Sequence, residues 1–175
     1  MAISRFIPGS FQPPLEQNKF IVQHKPTGED VVPFDVVFVG AGPAGLAGAI
    51  ELSKLTKAAG MNIEIGVLEK AGTLGGHSLS GAVINPIALQ TLFPDTPISD
   101  FPFRRPVTGE KVFLMTKNSA IRLPTPPTMK NHGYYIASLC EVVRWLGQKA
   151  EAAGINIMAG FPVDSASLAS ASCRC

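Results

Sequence analysis

Asp35-Val36-Val37-Phe38-Val39 runs directly into Gly40-Ala41-Gly42-Pro43-Ala44-Gly45, and this join decides how the rest of the chain is read. An unbroken run of β-branched and aromatic residues predicts a short strand buried on both faces. From Pro43 to about Ala59 good helix formers take over, and Gly60 follows as a helix stop. Ile63-Glu64-Ile65-Gly66-Val67-Leu68-Glu69 then predicts a second buried strand. Strand, helix and strand with short connections imply a right-handed parallel crossover.

The join also fits G-x-G-x-x-G. Glycines this common match by chance, but here the motif follows a strand and opens a helix, the context that gives it meaning. Gly40 permits the tight turn, Gly42 lets a pyrophosphate approach the backbone, and Gly45 lets helix and strand pack closely. Pro43 and Ala44 begin the helix, whose first N–H groups and dipole favour phosphate. Glu69 ends the second strand, where a carboxylate accepts hydrogen bonds from both ribose hydroxyls and disfavours a 2′-phosphate. The plainer alternative is a simple tight turn with a solvated acid at a strand end.

Working outward, the 175 residues suffice for one ordinary domain, and 46% hydrophobic against 16% charged residues reads as globular. A net charge of +2, with the basic residues dispersed, gives no reason to expect a nucleic-acid partner. Three cysteines make no disulfide framework: Cys140 falls in a predicted helix as a small hydrophobe, and Cys173 and Cys175 close no metal site. No secretory or mitochondrial targeting signal is seen in Met1 to Phe20, and glycines interrupt the apolar run Val36 to Ile50.

Residues 1–33 read as an extended lead-in, residues 34–163 as the ordered part and residues 164–175 as a disordered tail without strand. A glycine-rich loop spans Ala71 to Gly81. Asn85-Pro86 predicts a helix start, with the helix running through Leu92. Within the irregular, proline-rich stretch Phe93 to Pro127, Lys111 to Met115 and Ala120 to Leu123 predict a β-hairpin turning at Lys117-Asn118-Ser119. Its alternating apolar residues predict ordinary half-buried packing. Tyr135 to Ala153 predicts a long helix with Ile136, Leu139, Val143, Leu146 and Ala150 on one stripe. Ile155 to Met158 predicts a third strand. His24 reads as a surface residue, and His132 as ordering the start of the long helix. No nucleophile–base pair is visible, so no catalytic side chain and no metal ligand is assigned.

Glu69-Lys70-Ala71-Gly72-Thr73-Leu74-Gly75-Gly76-His77-Ser78 resembles the second motif of the glutathione-reductase-like flavoproteins, an acid followed by paired glycines. The resemblance implies an α/β fold, a Rossmann-like FAD-binding domain of that type, here incomplete and with a β-hairpin insertion in the region 103–130. It implies FAD as cofactor, with the paired glycines running beside the flavin half. Lys70, Gly76, His77, Ser78, Gly81 and Val163 join Gly40, Gly42, Pro43, Ala44, Gly45 and Glu69 as candidate cofactor-binding residues. For His77 a solvated loop histidine is the alternative.

Ser78-Leu79-Ser80-Gly81-Ala82, Phe93-Pro94-Asp95, Pro106-Val107-Thr108, Asn131-His132-Gly133-Tyr134-Tyr135-Ile136, Arg144-Trp145-Leu146 and Ala150-Glu151-Ala152-Ala153-Gly154-Ile155 narrow the likeness. Together they resemble the electron-transfer-flavoprotein:ubiquinone oxidoreductase family over about residues 34 to 163. That resemblance implies electrons passing from reduced electron-transfer flavoprotein through FAD and a [4Fe-4S] cluster to ubiquinone. It places the enzyme peripherally on a membrane: the cytoplasmic face of a bacterial inner membrane, or the mitochondrial inner membrane. It also puts the neighbourhood of the hairpin on the membrane-facing, quinone-binding side, with Phe113, Leu114, Met115, Ile121 and Leu123 as candidates.

The sequence departs from the family pattern past Val163, and the four C-terminal cluster cysteines are absent. The expectation is therefore an N-terminal FAD-binding piece, truncated, that is inactive alone and purifies without stoichiometric FAD. A related polyprenyl reductase or flavin monooxygenase, or a nucleotide-binding fragment without activity, are the rival readings.

Overall fold

A computed structural model of the protein describes residues 21–22, 31–79, 81–164 and 166–167. The expectations for most of the lead-in, for His24, Ser80, Cys173 and Cys175, and for most of the tail concern residues outside this set. The elements in chain order are β1 (Ile21–Val22), β2 (Val36–Val39), α1 (Pro43–Ala58), β3 (Ile65–Glu69), β4 (Ala82–Ile84), α2 (Ile87–Leu92), β5 (Phe103–Pro106), β6 (Val112–Met115), β7 (Ala120–Leu123), β8 (Tyr135–Ala137), α3 (Leu139–Ala152), β9 (Asn156–Ala159) and β10 (Ala166–Ser167). Single 3-10 turns lie at Ile98–Asp100 and Pro127–Met129.

The chain divides into two compact units, one of Pro33–Pro162 and one of Met1–Val32 with Val163–Cys175. In the second unit β1 pairs in parallel with β10, Ile21 opposite Ala166 and Val22 opposite Ser167. This corrects the expectation that the tail carries no strand.

In the first unit, β2, β3 and β9 form a parallel sheet in the order β2-β3-β9. Both crossovers step the same way across it, so the right-handed rule sends α1 and α3 to one face. The register agrees: Phe38 is level with Val67, which is level with Ile157. Phe38 lies under Gly48 of α1, and Ile157 lies near Gly147 of α3. Leu46, Ala49 and Ile50 of α1 meet Val143, Leu146 and Ala150 of α3 above Ile65 and Val67 in the core. Each large side chain buried there contributes about 1.5–3 kcal/mol.

The expectation of a first strand buried on both faces is corrected. Val37 and Val39 are 44% and 68% exposed, alternating with half-buried Val36 and Phe38. The reason is the shared handedness just described: with both helices on one face, β2 turns alternate side chains away from them. Over Gly66, the Phe34 ring provides cover.

A second, antiparallel sheet has the order β4-β8-β5. It corrects the start of the long helix: Tyr135–Ala137 is a strand, opposite Ile84, Val83 and Ala82 on one side and β5 on the other. The helix begins only at Leu139, so Ile136 is exposed on a strand and His132 lies well before the helix it was expected to order. Aromatic and β-branched residues at 134–136 pair more favourably across strands than they sit in a first helical turn. Elsewhere the predicted elements form, and Asn85 accepts the Ile87 N–H at 3.1 Å where α2 begins.

The two layers meet through aromatic rings. Trp145 of α3 packs edge-on against Phe93 with centroids 5.0 Å apart and against Phe101 at 5.4 Å. Phe101 continues to Phe103 at 5.5 Å, and Phe103 to Tyr135 at 4.9 Å. Such contacts each add about 0.5–1.5 kcal/mol beyond area burial.

The hairpin β6–β7 forms with Val112 opposite Leu123 and Met115 opposite Ala120, closed by Thr116 and Ser119. Its expected half-buried packing is corrected: Phe113, Leu114, Met115, Ile121 and Leu123 are all exposed, Met115 to 72%. Consecutive residues point to opposite faces, so both faces of the hairpin present apolar side chains.

Candidate dinucleotide site

The carboxyl ends of parallel strands are where α/β sheets bind ligands, and the glycine motif sits at that end of β2. Gly40 turns the chain with φ +99°, a left-handed conformation that side chains rarely adopt, and donates its N–H to Leu68 of β3 at 2.7 Å. Gly45 faces the Gly40 carbonyl so closely that a Cβ on Gly45 would overlap it, so helix and strand approach only because Gly45 lacks one. Gly42 is the N-cap of α1, with extended backbone and no side-chain cap on the first turn. A Cβ built on Gly42 would meet nothing within 4 Å, which leaves the outer side of the loop open to a ligand. Uncapped first-turn amides beside open space suit a phosphate. Pro43 and Ala44 are exposed at this same turn.

Glu69, half-buried at the end of β3, reaches this loop. Its Oε2 accepts the N–H of Ala41 at 2.8 Å, and its Oε1 accepts the N–H of Ala71 at 2.7 Å. The structure therefore brings Gly40, Gly42, Pro43, Ala44, Gly45 and Glu69 together. Ala41 and Ala71 are partners that sequence reasoning missed; backbone amides carry no side-chain signal.

Lys70 is exposed beside Glu69, and Gly76, His77 and Ser78 lie on a turn in which Gly76 donates to Thr73 and Ser78 to Gly75. The paired glycines have a role within the chain itself. A Cβ at Gly75 would come within 2.8 Å of the Cys140 carbonyl, so this glycine lets the turn lie against the start of α3. Arg144 holds the same turn through the Leu74 carbonyl at 3.3 Å. Among the described residues no hydrogen bond joins this turn to the glycine loop. His77 and Gly81 are exposed. Val163 belongs to the other compact unit and is 44% exposed.

Beginning at Pro43, a mostly apolar cavity of about 710 Å³ runs along α1, lined also by Ala47, Val83, Leu89, Leu139 and Val142. The sequence signalled it only as a helical stripe, since Pro43, Ala47 and Glu51 recur every fourth residue. Cys140, half-buried at the start of α3, has its Sγ 2.9 Å from Ser138 Oγ. Among the described residues no group of three or more potential metal ligands clusters. No helix there is long and apolar enough to cross a membrane.

A family model described as an NAD(P)-binding Rossmann-like domain matches residues 39–94. The chain is 47% identical over 128 residues to the mitochondrial electron transfer flavoprotein-ubiquinone oxidoreductase of Dictyostelium discoideum, a match covering 73% of this chain and 21% of that one. It is 45% identical over 137 residues to the electron transfer flavoprotein-ubiquinone oxidoreductase of Pseudomonas aeruginosa, covering 76% and 25%. The chain thus spans about a fifth to a quarter of the length of the curated relatives it matches. Among solved structures, CtdE in complex with FAD matches at 21% identity and a TM-score of 0.49, covering 74% of this chain and 30% of that one.

Proposed function

Over 73–76% of its length the chain is a homologue of the N-terminal region of electron transfer flavoprotein-ubiquinone oxidoreductases, and we propose that it is the dinucleotide-binding part of such an oxidoreductase. The observation that carries this reading is the meeting of Glu69 with the glycine loop, the acid lying one hydrogen bond from Ala41. In this reading the dinucleotide is FAD. The amides of the first turn of α1, after Gly42, Pro43 and Ala44, hold the pyrophosphate. Glu69 accepts from the adenosine ribose, and Lys70 lies beside it. Gly76, His77, Ser78 and Gly81 lie toward the flavin.

Bound FAD would supply the electron-transfer chemistry, and the protein the binding and orientation. The wider reaction is proposed on the relatives' names: electrons enter from electron transfer flavoprotein and leave to ubiquinone. The exposed apolar side chains of β6 and β7 support a membrane-facing role for the hairpin, in an enzyme lying peripherally on a bacterial inner membrane or the mitochondrial inner membrane. The [4Fe-4S] cluster of the resembling family is held by four cysteines. The residues matched here belong to the N-terminal region of the relatives, and no step is assigned through the cluster.

Titration of the purified chain with FAD, ADP and 2′-phospho-ADP tests the site. The expected order has FAD and ADP binding and 2′-phospho-ADP excluded by Glu69. Binding of 2′-phospho-ADP as tightly as ADP, or no binding of ADP at all, overturns the reading. Before any addition, the chain is expected to purify with less than one FAD per protein and with little quinone reductase activity.

A further inference from the structure

We propose that Glu69 is a positioning residue for the phosphate loop, bracing it into shape independently of any contact with ribose. This rests on the dinucleotide reading above and extends it. Both carboxylate oxygens are engaged by the protein itself, Oε2 by Ala41 N–H and Oε1 by Ala71 N–H. Ala41, 2% exposed, lies in the glycine loop between Gly40 and Gly42; Ala71, 6% exposed, lies in the loop after β3. The carboxylate therefore ties together two loops that follow neighbouring parallel strands.

The backbone around it extends the tie to a third loop. The Glu69 carbonyl accepts the Phe161 N–H at 2.9 Å, and the Ala71 carbonyl accepts the Gly160 N–H at 2.9 Å. The connections leaving β2, β3 and β9 thus converge on one acid. Hydrogen bonds to a carboxylate are the stronger kind, and the amides they satisfy are nearly inaccessible to water. Each carboxylate oxygen retains a further lone pair, so bracing and ribose binding are compatible in one side chain.

Glutamine separates the two roles. In E69Q one carboxylate oxygen becomes an NH2 group, which cannot accept from an amide N–H, so one of the two ties is lost with little change in shape. The probes are ADP and 2′,3′-dideoxy-ADP, which lacks both ribose hydroxyls, titrated into the full chain well below each protein's Tm. There, mere loss of stability leaves Kd unmoved. The brace predicts that E69Q weakens 2′,3′-dideoxy-ADP about fivefold or more. Unchanged affinity for 2′,3′-dideoxy-ADP, with only ADP weakened, would show that Glu69 acts through ribose alone and overturns the proposal.

Amide hydrogen exchange of the ligand-free wild-type chain decides the matter even if E69Q does not fold. The Ala41 and Ala71 amides are expected to exchange slowly, and exchange at the rate of an unprotected loop sinks the brace. Failure of the wild type to bind ADP would instead fault the dinucleotide reading, and leave the brace to stand or fall on those two amides.

Discussion

Gly45 lies directly against the carbonyl of Gly40, with no room for a side-chain carbon between helix α1 and the end of β2. Gly45→Ala forces a methyl into that contact, and either the helix or the loop must shift. Overpacking of this kind costs about 1–3 kcal/mol. A lower urea midpoint is expected, together with weaker ADP binding, because the shift occurs in the loop itself. An unchanged midpoint would mean that the helix start yields more easily than the contact implies.

Leu146 is 1% exposed, at the centre of the contact between α3, α1 and the sheet. Leu146→Ala leaves a cavity there and is expected to cost about 2–5 kcal/mol. Equilibrium urea unfolding reads this as a lower midpoint with an unchanged slope. A loss below about 1 kcal/mol would show that α3 is held chiefly by its other contacts.

Met115 and Leu114 point to opposite faces of the hairpin and are both exposed. Their replacement by glutamate removes apolar surface without opening a core, so stability should move by no more than about 0.5 kcal/mol. Co-sedimentation with anionic vesicles is expected to fall for the double variant relative to the wild type. Equal sedimentation of the two would remove the hairpin from any membrane contact.

Arg104 and Glu141 form an ion pair at 2.6 Å, with their side chains 61% and 42% exposed. Solvent and salt screen such pairs, and Arg104→Ala is expected to cost less than about 1 kcal/mol. Thermal melts at low and high salt should show a small difference that shrinks as salt is added. A large, salt-insensitive loss would mean that the Arg104 stem packs β5 onto α3.

What could be read from the sequence was local. The strand ending at Val39, the glycine turn, the helix from Pro43 and the strand ending at Glu69 follow one another without interruption, so pattern and connection length sufficed. The antiparallel sheet was hidden because its strands are three or four residues long and pair across long separations, as Ala82 does with Ala137. Tyr135 and Ile136 also continued the apolar spacing of the following helix, which concealed a change of element at Ser138. Which face of β2 stays open depends on where both crossovers place their helices, a property of the assembled sheet. At the site, the glycines and Glu69 were legible as residue types. The two amides that Glu69 holds were not, since Ala41 is 28 positions away and acts through its backbone.

The ring ladder from Phe93 through Trp145, Phe101 and Phe103 to Tyr135 has a practical side. Trp145 is the only tryptophan in the sequence and stands where α3 meets the antiparallel layer. Its emission colour is therefore a built-in gauge of whether that layer stays seated on the helix, readable in dilute solution without any label.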